Sequence, residues 1–88
     1  MKILSKEVLS DSGGVRVVKI EVLASDIARK AQPGQFIVLM VSPEGERIPL
    51  TVVSADKTKN SITLIFQGTG LTTKLLAKLE AGDSLYSL

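Results

Sequence analysis

Apolar residues in this chain recur mostly at every second position, the period of strands with one covered face. Lys2 to Leu9 reads as a first strand, with Ile3, Leu4, Val8 and Leu9 apolar. Asp11-Ser12-Gly13-Gly14 follows, and its glycines accept positive φ at little cost, so a hairpin is expected. The alternation is cleanest in Val15 to Leu23, where Val18, Ile20 and Val22 interleave with Lys19 and Glu21. Ser25 can cap a single helical turn through Lys30, and Pro33-Gly34 makes a turn. Gln35 to Ser42 is apolar at consecutive positions, as a central strand buried on both faces would be. Pro43-Glu44-Gly45-Glu46 then reverses the chain.

Arg47 to Ala55 is strand-like but contains Pro49, which lacks an amide donor and so marks an edge, a bulge or an opening of the ladder. Asp56 to Asn60 is a polar loop, and Ile62, Leu64 and Phe66 alternate with Thr63, Ile65 and Gln67 in a fifth strand. Gly68-Thr69-Gly70 ends it. Thr72 or Thr73 is placed to cap a helix through Leu79, with Leu75, Leu76 and Leu79 on one face and Gly82 at the C-cap. Ser84 to Leu88 is a sixth strand. These elements predict a mainly all-β fold over residues 1–88 as a single domain. It is a six-stranded antiparallel Greek-key β-barrel with one short helix between strands 5 and 6, whose closure hides sheet edges.

Composition narrows the chemistry. The 88 residues hold no cysteine and no histidine, so disulfides, thiolate sites and the commonest general base are excluded. Phe36, Phe66 and Tyr86 are the only aromatic residues. Eleven basic against nine acidic residues give a net charge of +2, interspersed along the chain, which argues against a nucleic-acid partner. The apolar run Phe36 to Val41 is far shorter than the roughly twenty residues of a membrane helix. Charge near the N-terminus, at Lys2 and Lys6, does not suit a signal peptide, so a soluble cytoplasmic domain is expected.

Two stretches can carry a ligand. In Arg47-Ile48-Pro49-Leu50-Thr51 the proline frees backbone groups for a flat ligand, Thr51 donates and accepts, and Arg47 can hold a phosphate. In Gly68-Thr69-Gly70-Leu71-Thr72-Thr73-Lys74 the glycines and the start of a helix suit an anion. Taken alone, an edge strand with a solvated arginine and an ordinary capped turn explain each stretch better. A barrel that brings them to one mouth would offer one donor set for a ring and another for a diphosphate. Glu44 and Glu46 in a turn, and Asp11, Asp26, Asp56 and Asp83 near turns or caps, are accounted for by solvation and capping.

Pro33-Gly34-Gln35-Phe36, Gly45-Glu46-Arg47-Ile48-Pro49-Leu50-Thr51, Ile62-Thr63-Leu64-Ile65-Phe66-Gln67, Gly70-x-Thr72-Thr73-x-x-Leu76 and Gly82-Asp83 occur in this order. The set resembles the flavin-binding barrel of the ferredoxin–NADP reductase superfamily. The likeness is in particular to electron-transfer subunits of the NADH-dependent ferredoxin:NADP oxidoreductase, sulfide dehydrogenase and dihydroorotate dehydrogenase kinds. The resemblance implies FAD as cofactor, with Ile48, Pro49, Leu50 and Thr51 at the isoalloxazine and ribityl and Arg47 near the phosphates. It places Ile65, Phe66 and Gln67 at the ribityl and adenosine side, and Gly70, Thr72 and Thr73 at the pyrophosphate. Relatives often carry arginine where this chain has Ile48, and in the Ile65–Gln67 segment where it has none.

The family also implies a nicotinamide-binding domain and an iron–sulfur partner. Neither is encoded in these residues, so an excised or engineered barrel is the expectation, one that relays electrons between NAD(P)H and an iron–sulfur or ferredoxin partner only in its parent. The alternative is a minimal or designed β-barrel scaffold without retained ligand, possibly a homo-oligomer.

Overall fold

The computed structural model describes residues 1–87. Its elements are β1 (Ile3–Ser12), β2 (Val15–Leu23), α1 (Ser25–Lys30), β3 (Phe36–Met40), β4 (Arg47–Asp56), β5 (Ser61–Gln67), α2 (Leu71–Lys78) and β6 (Tyr86–Ser87). All neighbouring strands are antiparallel, in the order β1-β2-β5-β4-β3-β6. Three consecutive strands, β3 to β5, lie beside β2, which is the connection of a Greek key.

The period-two residues form the core. Val18, Ile20 and Val22 of β2 share one cluster with Val52 of β4 and Ile62 and Leu64 of β5, and Leu39, Leu76 and Leu85 are among its other members. Burying a side chain of this size contributes about 1.5–3 kcal/mol. Gly13 and Gly14 have φ of +61° and +77°, as a two-residue primed turn requires, and this tight turn lets β1 run through Ser12 rather than ending at Leu9.

Three expectations need correction. First, the sheet is an open ladder and not a closed barrel. Among the described residues β6 spans two positions and pairs only with β3, while β1 pairs with β2. The gap between β1 and β6 is crossed by one isolated bridge, Lys2 to Ser84, and by main-chain bonds such as Ile3 N to Asp83 O and Gly82 N to Ile3 O, both 2.8 Å. Gly82 turns at φ +97°, so the returning chain meets β1 as a bend and not as a strand. Leu88, the last residue of the expected sixth strand, lies outside the described residues.

Second, β3 is not buried on both faces: on its outer side Phe36 is 68% exposed and Val38 and Met40 are half-buried. Third, α2 ends without a glycine cap. Its C-cap is Leu79 in an extended conformation, and Lys6 Nζ of β1 donates to the carbonyl of Ala77 at 2.7 Å. Leu76 and Ala77 are its buried residues, whereas Leu75 is exposed. A second helix, α1, forms over the segment expected to make a single turn.

Candidate functional site

β4 changes neighbours at its middle. Residues 47–51 pair only with β3, from Arg47 opposite Met40 to Thr51 opposite Phe36. The ladder to β5 begins at Val52 opposite Leu64 and carries a bulge between Val52 and Ser54. On the other side, residues 65–67 of β5 pair with β2, from Gln67 opposite Val17 to Ile65 opposite Lys19. The two strands therefore diverge into a fork between residues 47–51 and 65–67.

Pro49 suits this stretch of β4 because of where the main chain points. Val52 donates to Gln35 O at 2.6 Å and accepts from Gly34 N at 3.0 Å, so its polar groups point to β3. Main-chain direction alternates along a strand, so residues 50 and 48 also face β3, while 49 and 51 face the fork. The amide that proline lacks is thus on the side where no ladder runs, and the proline costs no strand pairing.

The same alternation sorts the expected site residues. Arg47, Pro49 and Thr51 of β4, with Ile65 and Gln67 of β5, have exposed side chains on the outer face. Ile48, Leu50 and Phe66 point into the core, at 7%, 9% and 5% exposure, and can meet an outside ligand only through their main chain. Register adds residues that sequence reasoning assigned to a buried strand. Phe36, Val38 and Met40 stand opposite Thr51, Pro49 and Arg47 and give the outer face an apolar margin. Their signal was present in the pairing across the Ser42–Glu46 turn, but only the register reveals which face they share.

α2 begins beside the fork. Its N-cap, Gly70, has no side chain, so only one arm of a capping box exists: Thr73 Oγ1 accepts from the amides of Thr69 (3.1 Å) and Gly70 (2.9 Å). That hydroxyl donates in turn to Gly70 O at 3.1 Å, which leaves Thr73 committed to the helix start. The first helical bond runs from Lys74 N to Gly70 O. The amides of Leu71, Thr72 and Thr73 are the unpaired donors that open any helix, and they carry partial positive charge. Thr72 Oγ1 donates to Glu46 Oε1 at 3.1 Å. This bond, across 26 positions of sequence, brings the start of β4 and the start of α2 together.

Arg47 forms none of the three ion pairs among the described residues, which are Lys6–Glu80, Arg16–Asp11 and Arg29–Asp26. No cluster of three or more potential metal ligands occurs among them either. The donors around the fork therefore suit a flat, partly apolar ring with a polar edge and an attached anion, and this donor set fits a flavin nucleotide. A separate groove of about 370 Å³ lies between the β1–β2 turn and the outer face of α2, lined by Arg16, Gly68, Leu71, Lys74 and Leu75 among others. It includes none of the expected ring contacts, so the fork and not this groove is the candidate site.

No protein-family model matches the chain. It is 34% identical over 59 residues to the electron transfer subunit homolog of dihydroorotate dehydrogenase B (NAD(+)) from Thermotoga maritima. It is 32% identical over 66 residues to the corresponding subunit from Lysinibacillus sphaericus. The chain is homologous to part of these electron-transfer subunits. The motif resemblance is thereby borne out. An uncharacterized protein in the adh 3′ region of Clostridium beijerinckii is 39% identical over 82 residues, 93% of this chain. A solved structure of an NADH-dependent reduced ferredoxin-NADP oxidoreductase, studied for flavin-based electron bifurcation, superposes with a TM-score of 0.84 over 96% of the chain at 28% identity. The homologous region is a minor part of each relative: the chain spans 26%, 21% and 26% of the curated relatives and 29% of the solved chain. No helix among the described residues is long and apolar enough to cross a membrane.

Proposed function

We propose that this chain is the FAD-holding domain of an electron-transfer flavoprotein, with the fork between β4 and β5 as its flavin site. One observation carries the reading. The half of β4 that holds Arg47 to Thr51 has no β5 neighbour and opens beside the start of α2, in a chain homologous to electron-transfer subunits.

Pro49 and Thr51 would hold the ring, Thr51 by its hydroxyl, with Ile48 and Leu50 contributing main-chain groups. Ile65, Phe66 and Gln67 would line the ribityl and adenosine side. Thr72 and Thr73 would present helix amides to the diphosphate, with Gly70 as the side-chain-free cap that leaves room for it, and Arg47 would supply a cation within the same mouth. When bound, the flavin supplies the redox chemistry, and the protein supplies position and electrostatics. In its parent the domain would pass electrons between NAD(P)H and an iron–sulfur or ferredoxin partner, in a cytoplasmic complex.

Titrating FAD into the purified protein while following flavin fluorescence tests the reading. Saturable binding at micromolar concentrations is expected, and it should weaken in Thr51→Val and Arg47→Ala. No saturable change would sink it. A second reading, a scaffold that self-associates without ligand, is favoured by the exposure of Phe36. It predicts an oligomer by light scattering that is indifferent to added FAD.

A further inference from the structure

The structure assigns Glu46 a role that its place in a surface turn does not suggest. The turn is tight: Gly45 N donates to Ser42 O at 3.0 Å, and a Cβ at residue 45 would stand 2.9 Å from Ser42 Oγ. It delivers Glu46 against the first turn of α2, where Thr72 Oγ1 donates to its carboxylate at 3.1 Å. Glu46 forms no ion pair among the described residues. Its negative charge instead lies at the positive end of α2, beside the Thr72 hydroxyl that a bound diphosphate would use.

We propose that Glu46 is an internal anion at the flavin site: it occupies the Thr72 donor in the free protein, must give it up to a diphosphate, and so sets selectivity between phosphorylated and unphosphorylated flavins. This rests on the flavin reading of the fork. A diphosphate entering the site meets two obstacles, a donor already engaged and a like charge within contact distance of it. A flavin without phosphate meets neither, because Glu46 precedes the ring-facing residues Pro49 and Thr51 and is directed to α2. The contact therefore discriminates by ligand charge and not by ring chemistry.

Glu46→Gln isolates the charge, since its amide oxygen can still accept from Thr72. Binding of FAD and of riboflavin is measured side by side by fluorescence titration for the native protein and this variant. FAD should tighten by about three- to tenfold, the size of effect a single screened charge produces near a helix start. Riboflavin should change by less than about twofold, and the FAD gain should shrink at about 1 M salt, where the screening length falls to roughly 3 Å. Unchanged riboflavin binding also verifies that the variant is folded. FAD binding that is unchanged or weaker in the variant, or an equal gain for both ligands, overturns the role of Glu46 while leaving the flavin site standing. Absence of binding by both proteins for both ligands overturns the flavin reading and this inference with it.

Discussion

The two halves of β4 are continuous in one strand yet keep different neighbours. Residues 52–56 run beside β5, and Val52 is wholly buried against Leu64. Residues 47–51 run beside β3 and leave their other edge to the fork. The first half alternates exposed Arg47, Pro49 and Thr51 with buried Ile48 and Leu50, whereas the second, Val52-Val53-Ser54-Ala55-Asp56, does not alternate. The difference comes from the exchange of neighbours at Thr51–Val52 and the bulge that follows it, a device that re-aims side chains where a strand leaves a ladder. Both halves reach the core, the first through Ile48 and Leu50 and the second through Val52. Only the first keeps main-chain and side-chain donors turned to the fork, which is what a ligand site needs and what a stable ladder would consume.

Mutations should separate the halves by their effect on stability. Leu64→Ala, behind the paired half, should cost about 2–5 kcal/mol in denaturant unfolding, because the cavity adds to the lost burial. A cost below about 1 kcal/mol would mean that the paired half is not the stable one. Gly13→Ala tests the hairpin that feeds β2 into the same ladder. At φ +61° it should cost about 1–2 kcal/mol, read from the thermal midpoint.

Lys6→Met removes the bond to Ala77 O and the contact with Glu80 Oε1 at 3.1 Å that hold the end of α2 to β1. We expect about 1 kcal/mol of destabilisation, and faster amide exchange in α2 than in β5. Pro49→Ala is the mildest change. Stability should stay within about 0.5 kcal/mol of the native protein, since the restored amide faces the fork, while FAD affinity falls. A large loss of stability there would show that residue 49 belongs to a ladder after all.

Much of the fold was legible because burial follows period two. Val18, Ile20, Val22, Ile62, Leu64 and Phe66 are core residues as their alternation requires, and Gly13-Gly14 makes the expected hairpin. Phe36 shows why the rest was not. A continuous apolar run signals burial only if something packs on both faces, and that depends on elements distant in sequence. Gly82 misleads for a related reason: a glycine near a helix end resembles a cap, but the cap is supplied by Lys6, 71 positions away from Ala77. At the site, Thr72 and Thr73 read alike in sequence. The structure divides them, Thr73 into the helix start and Thr72 onto Glu46.

The sequence by itself determined the strand and helix segments, the absence of histidine and cysteine chemistry, and the ordered motifs that point to electron-transfer relatives. These are local properties, written in periodicity and residue type. Tertiary structure alone decided that the sheet stays an open ladder, that Ile48, Leu50 and Phe66 face the core, and that Glu46 meets α2. Each of these depends on strand register and on which neighbour a strand keeps, and register is set by packing across the whole sheet.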